Sequence, residues 1–247
     1  ITMSYVLWAI LGKQQKKHVA IISRTQMQAQ THLKNIRTEL EDNEVLKNDL
    51  GPFEDDKDWG AQGLVLPWHG ARIVSLSVEQ HFRGIRFGKH RPDLIICDDL
   101  EDREEMKTEE GRKKMEDWFT GEVMPLGDLG TRVIVVGNLT HQDSLLCRLI
   151  EKVQNKKFTA RVLRCPLIDD KGAITWPGKF PNLDAVEAYK HNLGGNESSW
   201  QREMMLKIIP DELQIVREEW IKYYDRITKH ARPVGGLVSV DPALGKP

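Results

Sequence analysis

A cluster of carboxylates follows a short apolar run in the chain. The run spans Leu94 to Cys97, and Asp98, Asp99 and Glu101 come after it. Because a buried parallel strand holds the side chain at its carboxyl end rigidly, Asp98 is a candidate to hold Mg²⁺ directly or through water. Asp99 or Glu101 then has the reach to orient or deprotonate an attacking water. The alternative is an ordinary core strand followed by an acidic helix start, since carboxylates also favour helix N-termini.

A second apolar run ends in a small residue and an amide. Arg132 to Val136 is followed by Gly137 and Asn138. A polar side chain at the tip of a neighbouring strand can hydrogen-bond the γ-phosphate of a nucleotide or the attacking water. Asn138, with Gly137 beside it, is therefore a candidate nucleotide-binding residue that reports the nucleotide state to the rest of the protein. A simple Gly-Asn turn is the alternative.

Positive charge is concentrated just before the acidic strand, in residues 81–93. The cationic side chains there are His81, Arg83, Arg86, Lys89, His90 and Arg91. Arg83 or Arg86 is a candidate arginine finger, which stabilises the charge on a transferring phosphoryl group, and the whole segment is a candidate contact for DNA phosphates. The alternative is a solvated basic loop that balances the acidic cluster electrostatically.

A further apolar run, residues 236–241, ends in a carboxylate at Asp241. This run resembles the first strand of an RNase H-like nuclease, whose opening Asp is a metal ligand. A strand followed by an Asp-Pro turn is the alternative interpretation.

The composition predicts one large soluble domain, or one domain plus part of another. The chain has 247 residues and is 40% hydrophobic, which is enough for a sizeable core. Its net charge is −1, so any contact with nucleic acid has to come from local patches. Cys97, Cys147 and Cys165 lie in apolar contexts without metal-type spacing, which predicts reduced core thiols. No apolar run approaches the roughly 20 residues that cross a bilayer, and no signal peptide is visible.

Short apolar runs alternate with helical patterns along the chain. Strands are predicted at residues 19–22, 73–76, 94–97, 133–136 and 162–163. Apolar residues recur at helical spacing at Ala29, Leu33, Ile36 and Leu40, and at Leu146, Leu149, Ile150 and Val153. This alternation predicts an α/β fold with a largely parallel sheet, in which sites gather at the carboxyl ends of the strands. After residue 165 frequent Pro and Gly break the chain into short pieces, which predicts a lid or connector.

Taken in order, these pieces resemble the large subunit of the tailed-phage terminases, the motor and nuclease that packages viral DNA into a procapsid. The resemblance lies in FRGIRFGKHRPDLIICDDLED, TRVIVVGNLTHQDSLLCRLI, SSWQREMMLKIIPDELQIVREEWIKYYD and LVSVDPALGKP. It implies a P-loop NTPase core of the RecA-like type over residues 1–165, a lid or linker over 166–232, and the start of an RNase H-like nuclease domain over 233–247.

The resemblance also implies roles for individual residues. Asp98 would be the Walker B magnesium ligand, and Asp99 or Glu101 the catalytic carboxylate. Asn138 would belong to the coupling motif, and Asp241 would be the first acid of the nuclease.

The activity implied by the resemblance is ATP-driven translocation of double-stranded DNA, followed by cutting that ends packaging. The implied cofactors are ATP and Mg²⁺, with Mg²⁺ or Mn²⁺ for the nuclease. The implied partners are double-stranded DNA, the terminase small subunit and the portal protein, with a homo-oligomeric ring as the active form. The place of action would be the host cell cytoplasm, at the procapsid portal.

Two departures from the family pattern qualify these expectations. The sequence contains no G-x-x-x-x-G-K-[ST] phosphate loop, and ITMSYVLWAI has the character of the helix that normally follows that loop. We therefore expect the sequence to begin just after it. The remaining nuclease acids do not appear, and Asp241 alone cannot support two-metal cleavage.

Two other function classes remain open. Another P-loop nucleic-acid motor, such as a helicase, would share both polar-tipped strands but would carry a second RecA-like domain after residue 165. A degenerate α/β interaction module would never bind nucleotide.

Overall fold

A five-stranded sheet forms the centre of the protein. The computed structural model describes residues 2–54, 58–80, 82, 84–194 and 196–208. The strands are β1 (His18–Ser23), β2 (Gly63–Leu66), β3 (Ala71–Ser77), β4 (Leu94–Asp98) and β5 (Arg132–Val136). They lie in the order β2-β3-β1-β4-β5, and only the pairing of β2 with β3 is antiparallel. The predicted α/β fold with a largely parallel sheet is confirmed.

One face of the sheet is covered by α1 (Thr2–Leu11) and α2 (Gln26–Asp42), and α3 (Glu44–Leu50) follows α2. Helix α2 is capped by Thr25, whose side chain accepts a hydrogen bond from the backbone of Gln28, while the Gln28 side chain accepts one from the Thr25 backbone. This capping box satisfies donors that the first turn leaves free. The four apolar residues predicted from their spacing are all buried: Ala29, Leu33, Ile36 and Leu40.

The other face is covered by α5 (Glu109–Trp118) and α6 (Leu145–Gln154), with the short α4 (Arg103–Met106) before them. Salt bridges join these helices: Arg148 pairs with Glu116 at 2.5 Å and with Asp143 at 2.6 Å, and Arg112 pairs with Asp143 at 2.8 Å. In the second predicted helical set, Leu149 is buried and its companions are half-buried, because α6 covers the edge of the sheet.

The predicted strand at residues 162–163 is wrong. Residues 155–165 form neither helix nor strand, and the side chain of Leu163 is 70% exposed. No backbone hydrogen bond joins residues 159–165 to another described residue. β5 lies at the edge of the sheet and is only half-buried, although a buried strand is predicted there. To form a strand, residues 162–163 would need a neighbouring strand that pairs with their backbone groups. The described residues offer none beside them.

Residues 166–208 form a small separate core, which we call the satellite core. It consists of Leu167, Phe180, Val186 and Trp200 and is built from α7 (Leu183–Asn192), α8 (Glu197–Glu203) and the preceding turns. By its internal contacts the chain divides into residues 1–209 and 210–247, and every described residue belongs to the first unit. The domain boundaries after residues 165 and 232 stay predictions.

The cysteine prediction holds only in part. Cys97 is buried in β4, Cys147 is half-buried and Cys165 is exposed, so Cys165 is not a core thiol. Its apolar sequence neighbours lie in the exposed segment 155–165, where they form no core. None of the helices in the described part of the chain has the length and apolar character to span a membrane.

Candidate functional site

Four parallel strands end at one edge of the sheet. The last residues of β1 and β4 pair with each other, Ser23 with Asp98, and Asp98 also pairs with Val136 of β5. The residues that follow these ends therefore converge, as expected for the carboxyl edge of an α/β sheet. A pocket of about 270 Å³ opens there. The polar residues that line it are Arg24, Gln28, Asp99, Glu101, Asp102, Asn138, Thr140 and Glu203.

Asp98 lies at the end of β4 with a hydroxyl group against it. The Thr2 hydroxyl, in the first turn of α1, donates a hydrogen bond to Asp98 Oδ2, and Thr2 itself is buried. The His32 Nε2 atom, from α2, is 3.4 Å from the same oxygen. Two helices thus contact the carboxylate from one side of the sheet, and Asp98 does not itself line the pocket.

Thr2 and His32 are absent from the sequence prediction. No motif indicates Thr2, because the Mg²⁺-binding hydroxyl residue of the phosphate-loop motif follows a Lys, whereas Ile1 precedes Thr2. His32 lies on a helix that is distant from Asp98 in sequence, so no local pattern indicates it.

Asp99 has a left-handed backbone conformation, with φ at 49°. Its backbone N–H donates to the carbonyl oxygen of Val136 at 3.1 Å, which ties the turn after β4 to β5. A side chain at Gly137 would place its Cβ 3.4 Å from Asp99 Oδ1 and 3.3 Å from Leu146. Glycine at 137 thus lets the chain after β5 pass close to Asp99. Gly137, predicted beside Asn138 as a nucleotide-binding residue, lines the pocket next to Asp99.

The surroundings of Asp99 disfavour the charged form of its carboxyl group. The residue is exposed to the pocket, but nearby protein atoms partly desolvate its carboxyl group, and this desolvation raises its pKa. The charges of Asp98 and Glu203 raise the pKa further, while His32 opposes them. A carboxyl group with a raised pKa is better suited to accept a proton than an ordinary surface acid.

Glu101 is already engaged with α6. Its Oε1 accepts a hydrogen bond from the backbone N–H of Leu145 at 2.6 Å, at the first turn of the helix. Burial raises the pKa of Glu101, and the hydrogen bonds from Leu145 and Leu146 and the charge of Arg148 lower it in part. Glu101 therefore has a local structural role, as a cap on α6, beside its place in the pocket wall.

Asn138 reaches across the pocket to a different part of the chain. Its Nδ2 donates a hydrogen bond to Oε2 of Glu203, at the end of α8, at 2.6 Å. The residue predicted to sense the nucleotide is thus connected to the predicted connector, and Glu203 itself was absent from the sequence prediction.

The structure brings an arginine to the pocket that the sequence prediction missed. Arg24 comes directly after β1, lines the pocket and pairs with Glu105. The sequence signal for Arg24 was its position, two residues beyond the strand predicted at 19–22. Arg86 is exposed, and it precedes Phe87, whose ring lies 6.3 Å from that of His18 at the opposite end of β1. The pocket is not lined by Arg86, and Arg83 and Asp241 lie outside the described residues.

The metal site implied by Asp98 depends on which oxygen-bearing side chains lie near it. Within the described ranges, no group of three or more His, Cys, Asp and Glu side chains converges in a way that would hold a metal ion. A nucleotide-bound Mg²⁺ does not need such a cage, because it takes one hydroxyl or carboxylate, several waters and phosphate oxygens. The Thr2 hydroxyl against Asp98 fits that donor set.

Comparison with known proteins adds a finding at the level of the fold. No known family model and no curated protein matches the sequence. The fold resembles a phage large terminase. The crystal structure of the HK97 bacteriophage large terminase superposes with a TM-score of 0.52 at 14% sequence identity, over 83% of this chain and 43% of that one. The chain thus spans less than half of that protein, and the predicted terminase-like fold is supported as a fold.

Proposed function

We propose that this chain is most of the ATPase of a viral DNA-packaging motor, with the terminase-like fold as its framework. The contact between the Thr2 hydroxyl and Asp98 carries the proposal. In P-loop NTPases Mg²⁺ is held by the hydroxyl residue that opens the helix after the phosphate loop and by an acid at the end of a neighbouring strand. Asp98 ends β4, as that acid does, and Thr2 lies in the first turn of α1 with its hydroxyl against Asp98, although Ile1 and not a Lys precedes it.

The proposed roles follow from the positions of the side chains. Thr2 and Asp98 would hold Mg²⁺, which would neutralise charge on the β- and γ-phosphates. Asp99 is the favoured base, because it lines the pocket with a raised pKa, while Glu101 is held at the start of α6. Arg24 is the favoured cationic group at the pocket, in place of Arg86.

Several parts of the proposal rest on the resemblance in sequence and fold. They are the translocation of double-stranded DNA, the terminase small subunit and portal as partners, the ring assembly in the host cytoplasm, and a nuclease that begins at Asp241. In support, the polar-tipped strands, the connector and the terminal strand pattern occur in one chain in the family's order.

The described residues after the main sheet support the predicted connector. From residue 137 to residue 208, apart from Gly195, the elements are α6, α7 and α8, with one isolated bridge between Ile168 and Ile174. A second RecA-like domain would need a sheet of its own. The described residues from 137 to 208 contain no such sheet.

The test is Mg²⁺-dependent ATP hydrolysis by the full-length gene product. Asp98→Ala should abolish turnover, while Asp49→Ala, an exposed acid on α3, should leave it unchanged. Thr2→Ala should raise the Mg²⁺ concentration needed for half-maximal turnover, and Thr31→Ala, an exposed threonine on α2, should not. A full-length protein that neither binds nor hydrolyses ATP would instead support the degenerate interaction module.

The same assay separates the two candidate bases. Asp99→Asn should lower turnover by about 10²-fold or more with ATP binding retained, as expected for loss of a base. Glu101→Gln should lower it less, because its main contact is with α6. A larger loss of turnover in Glu101→Gln than in Asp99→Asn would make Glu101 the base.

A further inference from the structure

Glu203 joins the satellite core to the candidate nucleotide pocket. Its hydrogen bond with Asn138 links the turn after β5 to α8. The donor is an amide and the acceptor a carboxylate, so the bond is charge-assisted and stronger than a neutral one. Its length is 2.6 Å.

Glu203 is fixed to the satellite core by its neighbours in sequence. Trp200 of the same helix is 5% exposed and packs in that core. Directly after Glu203, the carbonyl oxygen of Met204 accepts a hydrogen bond from the backbone of Leu167 at 2.7 Å. A displacement of Glu203 therefore displaces α8 and the core around it.

The pocket places this carboxylate where a phosphate would meet it. Asp99 and Glu203 both line the pocket, and the charge of Glu203 helps to raise the pKa of Asp99. A γ-phosphate entering beside them would repel Glu203 and would compete with it for the amide hydrogens of Asn138. Both effects act against the bond between Asn138 and Glu203.

We propose that Glu203 is a positioning residue that makes the satellite core respond to the γ-phosphate. Without a γ-phosphate, Glu203 holds Asn138 and keeps α8 at the pocket. With one, Asn138 turns to the phosphate, and Glu203 moves away together with α8. This inference rests on the proposed function, because it needs a nucleotide in the pocket.

The first test compares two nucleotides in the full-length protein. Glu203→Gln keeps an oxygen that can accept from Asn138 but removes the charge, so it should tighten binding of a non-hydrolysable ATP analogue about fivefold. It should change the Kd for ADP by less than about twofold, since ADP lacks the repelled group. Glu187→Gln, at an exposed acid on α7, should change neither Kd.

The second test measures the motion itself. Spin labels at positions 31 and 187, in a protein with Cys147→Ser and Cys165→Ser, report the distance between α2 and α7. The distance should change with the ATP analogue but not with ADP, and Glu203→Gln should suppress that change. A purely structural role for Glu203 would not distinguish the two nucleotides.

The outcomes separate this inference from the function on which it rests. If the unaltered protein binds neither nucleotide, both are overturned. If it binds both with a Mg²⁺ dependence that Asp98→Ala removes, the function stands. An unchanged ratio of the two Kd values in Glu203→Gln, or an unchanged distance response, then overturns the role of Glu203 alone.

Discussion

Asp99 combines an unusual backbone with an unusual environment. Its φ of 49° lies in the left-handed region, which Asp and Asn tolerate better than other side chains. Its carboxyl group faces Asp98 and Glu203, both acidic. Such local conflict is typical of functional sites, where stability is lost for the sake of chemistry.

The raised pKa of Asp99 gives a prediction for stability against pH. The folded protein holds the Asp99 proton to higher pH than the unfolded chain does, so stability is lost as pH rises from the ordinary Asp range through the raised pKa. The substitution Asp99→Asn removes the charge that causes this loss of stability, and asparagine also tolerates the left-handed backbone. It should stabilise the full-length protein at pH 7 by about 0.5 kcal/mol, a small effect because solvent screens the group.

The measurement is urea denaturation of both proteins at several pH values. The difference should vanish below the pKa of an unfolded Asp, where both side chains are neutral. A difference that persists at low pH would assign the effect to something other than ionisation.

At the scale of elements, Glu101 connects the turn after β4 to α6. The first turn of a helix has backbone donors without partners inside the helix, and it attracts negative charge. Glu101 supplies both an acceptor and a charge at Leu145, and Ser144 caps the same helix by accepting from Cys147. The candidate site and the helix beside it are therefore stabilised by one carboxylate.

Glu101→Ala should destabilise the full-length protein by about 1–2 kcal/mol, because it leaves a partly buried N–H without its acceptor. Glu104→Ala is the matched control, since Glu104 is 78% exposed and pairs only locally with Lys107. It should change stability by less than about 0.5 kcal/mol. Equal losses in urea denaturation of the two variants would contradict the capping role.

At the scale of the whole molecule, residues 155–165 separate the main sheet from the satellite core. Four cations lie in this exposed segment: Lys156, Lys157, Arg161 and Arg164. Within the described part of the chain none of them has an ion pair or side-chain hydrogen bond. Two cations just before them, Arg148 and Lys152, lie in α6 and pair with Glu116.

Brief digestion of the native 247-residue chain with trypsin should therefore cut after the four segment cations before it cuts after Arg148 or Lys152. Proteases need a locally extended backbone, which a helix denies them. Mass spectrometry of the fragments identifies the order. Early cleavage inside α6 would show that the helix opens as easily as the segment.

Local sequence patterns were enough to predict the fold class and the edge of the sheet at which the acids lie. Period-two and helical patterns act over a few residues, so they predicted four of the five strands together with α2 and α6. Parallel strands necessarily bring their carboxyl ends to one edge. Asp98, Asp99, Glu101, Gly137 and Asn138 could therefore be predicted at that edge. The strand prediction for residues 162–163 was wrong, because a strand depends on a neighbour that local pattern does not supply.

Contacts between side chains that are distant in sequence could not be predicted from local patterns. Asp98 contacts Thr2 and His32, which are 96 and 66 positions away in the sequence. Asn138 contacts Glu203, which is 65 positions away. Contacts at such separations depend on how helices pack on the sheet, and no short-range pattern encodes that packing. The sequence left Asp99 and Glu101 equivalent as candidate bases. The packing of α6 against Glu101 in the folded protein is what distinguishes their roles.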